Sequence, residues 1–353
     1  MNRRDFLRLS GGIAVGTLLS GIGCGLSGVV PPGTEAQSST PASVTKEGAA
    51  PLYLTIVVHN EEDVSKGTKP KANIPDYDGD AALMHHFGTA MREFALIVQR
   101  HGAKINFGSD WTFSRGVARF DPTFYTDLES MGHEIDAHAH ESFVPYHEVR
   151  EEIVTASGHP THVASGLNEE EIQQKMAYFD ALYPEFQILW GVSLPGHPAG
   201  ECVAPWVWRP SRKNWVEHDP DGVYIYIGHG ELVNSLGEIQ KAVDGRSPAR
   251  VNTYAVFAAP RGFKAAAGTQ GIAEEWTTKP EAYDYWENRL AWWDDLLTGI
   301  DALVERGDVR YASLTEIASV FVQSEDRLGF DFGQPPRSDA DLVRRSIAAG
   351  YQP

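Results

Sequence analysis

Ten consecutive residues, Gly132-His133-Glu134-Ile135-Asp136-Ala137-His138-Ala139-His140-Glu141, hold imidazoles at 133, 138 and 140 and carboxylates at 134, 136 and 141. Apolar residues alternate with polar ones, which is a strand signal. The alternation places Asp136, His138 and His140 on one face and Ile135, Ala137 and Ala139 on the other. Nitrogen and oxygen donors two residues apart on one strand face suit a divalent metal ion. A second concentration, His59-Asn60-Glu61-Glu62-Asp63, directly follows an apolar run. Two carboxylates beside a metal can divide the work of hydrolysis, one binding the ion and the other taking a proton from water. His229 and Glu231, in Gly228-His229-Gly230-Glu231, also follow a strand-like run, as do His197 and Asp110. Trp111, Trp206 and Trp208 are candidates for a sugar-stacking platform. His85-His86 lies in a helical stripe and reads as packing or surface, and Trp292 and Trp293 read as core.

Placing these groups requires alternating strands and helices. Leu52 to His59 is a continuous apolar, β-branched run, as expected of a strand covered on both faces. Ala81 to His101 carries an apolar stripe at helical spacing, with Gly102 behind it as a C-terminal cap. A strand at Ala103 to Gly108 and a helix at Asp121 to Met131 lead into the His-rich strand. A helix starting after Asn168 comes next, then strands at Ile188 to Ser193, Gly222 to Ile227 and Asn252 to Ala258. A long helix, Tyr283 to Arg306, precedes a strand at Val309 to Ala312 and a closing helix from Thr315 through Val322. Repeated βα units imply parallel strands with helical crossovers, and residues 51–325 suit a single α/β barrel. Function in such barrels concentrates at the C-terminal ends of the strands.

The N-terminus reads as an address. Asn2-Arg3-Arg4-Asp5-Phe6-Leu7-Arg8 is a twin-arginine pattern ahead of a short, glycine-rich apolar run, so residues 1–24 are expected to be an export signal. That run is too short and too rich in glycine to span a bilayer. Gly21-Ile22-Gly23-Cys24 resembles a lipoprotein cleavage site, which leaves two outcomes: a periplasmic protein released after cleavage, or one anchored to the membrane through Cys24. Residues 25–50 are rich in Ser, Thr, Pro, Gly and Ala and form a flexible linker, and residues 326–353 are a C-terminal extension. Of two cysteines only Cys202 then remains, so no intramolecular disulfide is expected. A formal net charge of −18 argues against a nucleic-acid partner and against an anionic membrane surface.

Together the two clusters carry a family resemblance. Gly132-His133-Glu134-Ile135-Asp136-Ala137-His138 resembles the second motif of the polysaccharide deacetylase (NodB-homology) superfamily, usually Gly-His-Glu-Ile-Gly-x-His. His59-Asn60-Glu61-Glu62-Asp63 corresponds to its first motif, Thr-Phe-Asp-Asp-Gly, and Trp208-Arg209-Pro210 resembles its arginine-bearing third. Gly307 to Glu316 is similar to its last strand and helix. The resemblance implies a distorted, incomplete (β/α)7-8 barrel and a metal-dependent hydrolase, with zinc as the expected metal, that removes acetyl groups from amide-bearing sugars. It implies Glu61 as general base, Glu62 and His138 as metal ligands, and Arg209 as the residue orienting the base. His229 or His197 would protonate the leaving amine. The family's second histidine falls at Ser142, so His140 on the same strand face, or His147, would take its place. Both first-motif aspartates are glutamates here, and no Leu-x-His motif appears. A Glu-Glu first motif also looks like a branch that hydrolyses cyclic amides, some of whose members work without metal. The alternatives are therefore a metal-independent amidase of the same fold and a non-catalytic carbohydrate-binding lipoprotein. A glycosidase on the same barrel would also use two glutamates.

Overall fold

The computed structural model describes residues 50–60, 76–139, 144–167, 186–191, 206–211, 218–228, 235–248, 250–258 and 281–328, the side chains of 167, 191, 281–289 and 325–328 excepted. The expected signal, the linker, most of the C-terminal extension and the helix after Asn168 lie outside them. So do Glu61, Glu62, His140, His197 and His229. No described helix is long and apolar enough to cross a membrane.

Strand β1, Leu52–Asn60, is buried at every position, which is why its sequence reads as one apolar run rather than an alternation. Parallel partners flank it. Strand β2 (Ile105–Ser109) pairs with its C-terminal half, and β9 (Val309–Tyr311) shares the same edge at Leu52 to Leu54. Strand β8 (Asn252–Phe257) takes the other edge. Beyond β2 the sheet continues in parallel through β3 (Glu134–His138), β4 (Val163–Leu167), β5 (Ile188–Gly191) and β7 (Ile225–Ile227). Strand β6 (Val207–Trp208) closes the row antiparallel to β7. A bridge between Trp206 and Asn252 links the two outer edges, so the sheet is a nearly closed barrel. The mixed α/β barrel expected from the sequence is the architecture observed.

Helices α1 (Ala81–Arg100), α2 (Trp111–Phe120), α3 (Phe124–Ser130), α4 (Tyr146–Ser157), α5 (Leu236–Asp244) and α6 (Glu281–Glu305) follow the strands. Asp80 caps α1 by accepting from the Leu83 amide at 3.1 Å, and Gly102, at φ 68°, ends it in the left-handed conformation that glycine adopts freely. Strand alternation divides the core in two. Leu54, Ile56, Val58, Phe107 and Ala137 pack outward against helices, and Trp293 joins them as the sequence suggests. Tyr53, Val57, Val163, Trp190, Ile227 and Ala255 face the barrel interior.

The last helix, α7 (Leu314–Leu328), fills that interior from one end, with Leu314, Ile317, Ala318 and Phe321 packed on the inner core. Its first turn is seated by residues at the starts of β2 and β3. The Leu314 amide donates to Asn106 Oδ1 at 3.1 Å, and Glu134 accepts from the Thr315 amide at 3.2 Å and from the Thr315 hydroxyl. A carboxylate at a helix N-terminus also meets the positive end of the helix dipole. At this N-terminal pole Arg246 and Asp308, both buried, pair at 2.9 Å. Arg246 donates further to the carbonyls of Asp308 at 2.8 Å and Val243 at 2.8 Å, which ties α5 to the start of β9.

Candidate active site

At the opposite pole, where the parallel strands end, inward-facing polar residues from several strands meet. On β3 the alternation holds as expected: Asp136 and His138 point inward, fully or almost fully buried, while Ile135 and Ala137 pack outward. His138 Nδ1 lies 3.2 Å from Ser165 Oγ on β4, and Ser165 Oγ lies 3.4 Å from Asp136 Oδ1. The His59 ring, at the end of β1, stands over the His138 ring with centroids 3.8 Å apart and planes tilted by 31°. Trp190 on β5 and Phe257 on β8 each meet His59 edge-on at 5.4 Å. An aromatic wall therefore holds one imidazole against the other.

Two glycines make this packing possible. A Cβ on Gly166 would come within 2.4 Å of His138 Cε1 and 2.7 Å of its Nδ1. Gly166 has φ 82° and sits where the β4–β5 register shifts, so a bulge brings its backbone close to the imidazole. A Cβ on Gly108 would lie 2.9 Å from Ser165 Oγ and 3.1 Å from Asp136 Oδ1. The Tyr146 hydroxyl, on α4, sits 2.5 Å from the Ala139 carbonyl and 2.6 Å from that of Ser165, joining the ends of β3 and β4.

The electrostatics set Asp136 apart. Burial, and then the nearby charge of Glu134, push its carboxyl well above the usual carboxylate range, against the opposing hydrogen bond from Ser165. Among the described residues its Oδ2 has no hydrogen-bond partner, nor do the side-chain atoms of the fully buried Asn60. Leaving buried polar atoms unmatched costs about 1–3 kcal/mol each, a cost that concentrates at sites with a task.

Other residues of the same decapeptide do structural work. His133 faces the outer core, where its Nδ1 accepts from the Ile105 amide at 3.3 Å and its Nε2 is 3.1 Å from the Ala95 carbonyl. Burial pulls its pKa down to about 4, with Lys104 adding to that and the Ala95 bond opposing it. Asp110 caps α2 through the Phe113 amide at 2.8 Å. His147 is exposed on α4. Trp206 and Trp208 are buried in the outer core, and Arg250 stacks on Trp206 at 4.7 Å, so neither presents a face at the mouth.

Arg209 stands apart from His138, and strand direction is the reason. Strand β6 runs against β7, so Arg209 leaves it at the end where β7 begins. There its Nη1 donates to the Gly222 carbonyl at 3.1 Å and its guanidinium lies 5.8 Å from the Phe321 ring centroid of α7. Of the residues nominated from sequence, the described structure thus sets His138 at the strand ends and Arg209 at the other pole. Sequence reading passed over Ser165, Trp190 and Phe257 and gave His59 no role. Their signal was parity: each occupies an inward position on its strand.

Among the described residues no group of three His, Cys, Asp or Glu side chains could hold a metal ion. Glu62 and His140, the other nominated ligands, lie outside them. The nominated ligand that is described, His138, has the form a ligand needs: one ring nitrogen is anchored by a hydrogen bond, as is usual for metal-ligating histidines.

No protein-family model matches the sequence, and no curated protein matches it. Solved structures do show likeness. One is described as a probable polysaccharide deacetylase from Pseudomonas aeruginosa PAO1, at 10% identity and a TM-score of 0.48, covering 80% of this chain and 93% of that one. Puue allantoinase is similar to the same degree, at 10% identity and TM-score 0.46, covering 80% and 93% of the two chains. A 4-alpha-glucanotransferase from Thermococcus litoralis has 12% identity and TM-score 0.46, covering 77% of this chain and 40% of that one. The three names describe different reactions, and a shared fold does not choose among them.

Proposed function

We propose that the protein is a hydrolase of carbon–nitrogen bonds that removes acetyl groups from amide-bearing sugars of a cell-envelope or extracellular polysaccharide. The observation that supports this most is the anchored, almost fully buried His138 at the C-terminal end of β3, on the strand whose sequence resembles the deacetylase second motif. A divalent cation, zinc by its preference for nitrogen and oxygen donors, would be held by His138 with Glu62 and His140. When bound it would polarise the amide carbonyl and lower the pKa of water. The chain's own groups carry the protons. Glu61 takes one from the attacking water as oxygen bonds to the carbonyl carbon. His229 gives one to the nitrogen as the carbon–nitrogen bond breaks, releasing acetate and a free amine. Arg209, at the other pole, has no step. Export by the twin-arginine route, with lipidation at Cys24 as one fate, completes the proposal, and the intact mass of the mature protein tests it.

The reaction is tested by acetate release from N-acetylglucosamine oligomers and from peptidoglycan, before and after chelation and zinc return. Acetate release that chelation abolishes and zinc restores is the expected result. Release that survives exhaustive chelation would overturn the metal assignment, and no release from either substrate by zinc-replete protein would overturn the deacetylase reading.

A further inference from the structure

The most unusual group in the described barrel is Asp136, because it is completely buried, has an oxygen with no partner among the described residues, and occupies a position where the resemblance expects glycine. Among the described residues its side chain bonds to Ser165 Oγ at 3.4 Å, and Ser165 Oγ continues to His138 Nδ1 at 3.2 Å. A hydroxyl has one proton. Asp136 Oδ1 accepts it whether the carboxyl is charged or carries its own proton on the other oxygen, Oδ2; the serine oxygen can then only accept from the imidazole, so Nδ1 carries the His138 proton and Nε2 the lone pair. Without Asp136 the hydroxyl is free to turn and donate to Nδ1, which reverses the tautomer.

We propose that Asp136 and Ser165 are positioning residues that fix the tautomer and ring orientation of His138, with Nε2 as its working atom. Four features of the packing fit this assignment. Gly108 leaves room for the Asp136–Ser165 contact, since a Cβ there would meet both side chains. Gly166 lets backbone approach the Nδ1 side of the ring, closing that side to anything larger than a hydrogen bond. The His59 ring covers one face at 3.8 Å and blocks rotation. The Tyr146 hydroxyl clamps the Ser165 carbonyl at 2.6 Å, so the serine itself is held.

The inference rests on the reading of His138 as a working imidazole, and its test does not need a substrate. Nitrogen-15 correlation spectra of the histidine rings in the full chain, freed of bound metal by chelation so that no ion holds Nε2, at about pH 8 where imidazoles are neutral, report the tautomer directly. The His138 signals are assigned by their absence in His138→Ala. The wild type is expected to hold the Nδ1–H tautomer. Ser165→Ala and Asp136→Leu, each checked for an unchanged fold by the His133 signals, are both expected to shift His138 toward Nε2–H. In the same variants acetate release should fall about 10–100-fold in kcat with KM little changed, the usual effect of losing a partner that orients a working histidine. A wild-type Nε2–H tautomer, or a tautomer unmoved by Ser165→Ala, would overturn the inference. A shift in Ser165→Ala without one in Asp136→Leu would remove Asp136 from it. Should no hydrolysis be found at all, the spectra still decide the tautomer. The failure of the proposed reaction and the failure of this inference are therefore separate results.

Discussion

The two poles of the barrel both bury polar and charged groups, yet they treat them in opposite ways. At the N-terminal pole several buried polar groups are closely matched: Arg246 with Asp308 and two carbonyls, Glu134 with Thr315, Asn106 with the Leu314 amide. At the C-terminal pole Asp136 Oδ2 and the Asn60 side chain have no partner among the described residues, and two imidazole rings are pressed together. Matched burial stabilises a fold, because no desolvation cost is left uncompensated. Unmatched burial costs stability and persists where another demand outweighs it. The same sheet thus has an end that holds the chain together and an end suited to chemistry, in agreement with the usual division of labour in such barrels.

Substitutions at the two ends should separate these roles. The largest effect expected is from His138→Ala, which should lower acetate release by roughly 10²–10⁴-fold, the range for loss of a group acting directly in proton transfer or ligation, while leaving the urea midpoint within a small margin of wild type. Arg246→Ala should do the reverse. It removes one of the two arginine partners of the buried Asp308, leaving only the partly exposed Arg306 at 2.9 Å, and takes the donor from two carbonyls, so it should cost about 1–3 kcal/mol of stability, read from the urea midpoint, with kcat of the folded fraction unchanged. If Arg246→Ala lowered kcat as much as His138→Ala, the division between poles would fail.

Gly166→Ala probes the join between fold and chemistry. The left-handed φ alone should cost about 1–2 kcal/mol. The new methyl would also displace His138, and a shift of about 1 Å at a working group can cost about 100-fold in rate. Loss of rate beyond the loss of stability is the expected outcome in paired denaturation and turnover measurements.

Two histidines remote from the site predict pH effects of opposite sign. His133 titrates at about 4 when folded, against 6.5 for the unfolded chain, so the unfolded state binds the extra proton between those values. Stability should therefore fall by roughly 3 kcal/mol as pH drops from about 6.5 to about 4, and His133→Leu should abolish that slope in urea titrations. His101 is shifted the other way. Burial opposes its charge, but bonds to Asp301 at 2.6 Å and Asp294 at 3.0 Å outweigh burial and raise its pKa. Its contribution is complete below the unfolded value near 6.5 and is lost as pH rises through the higher folded value. Asp294 is largely exposed, so this effect should be about 1 kcal/mol or less, measured as the pH dependence removed by His101→Ala.

Much of the frame was legible in the sequence because periodicity and caps are local. The continuous apolar run at Leu52–Asn60 reads as a doubly covered strand, and the stripe at Ala81–Arg100 between Asp80 and Gly102 reads as a helix. Helices α2, α4 and α5, none longer than 12 residues, and the strand β4, which a register shift interrupts, went unread because short or irregular segments show few periods of any pattern. Ser165 and Gly166 lie in that unread strand, so half of the environment of His138 was invisible from sequence.

By itself the sequence determined the alternation of strands and helices and the face on which Asp136 and His138 lie, since both follow from the fixed two-residue and 3.6-residue periods of the backbone. The tertiary structure alone decided which residues of different strands meet. It put Ser165 between Asp136 and His138, stood His59 over the His138 ring, and carried Arg209 to the other pole through one antiparallel strand. Those contacts depend on register, strand direction and bulges between segments far apart in the chain, and no local pattern encodes them.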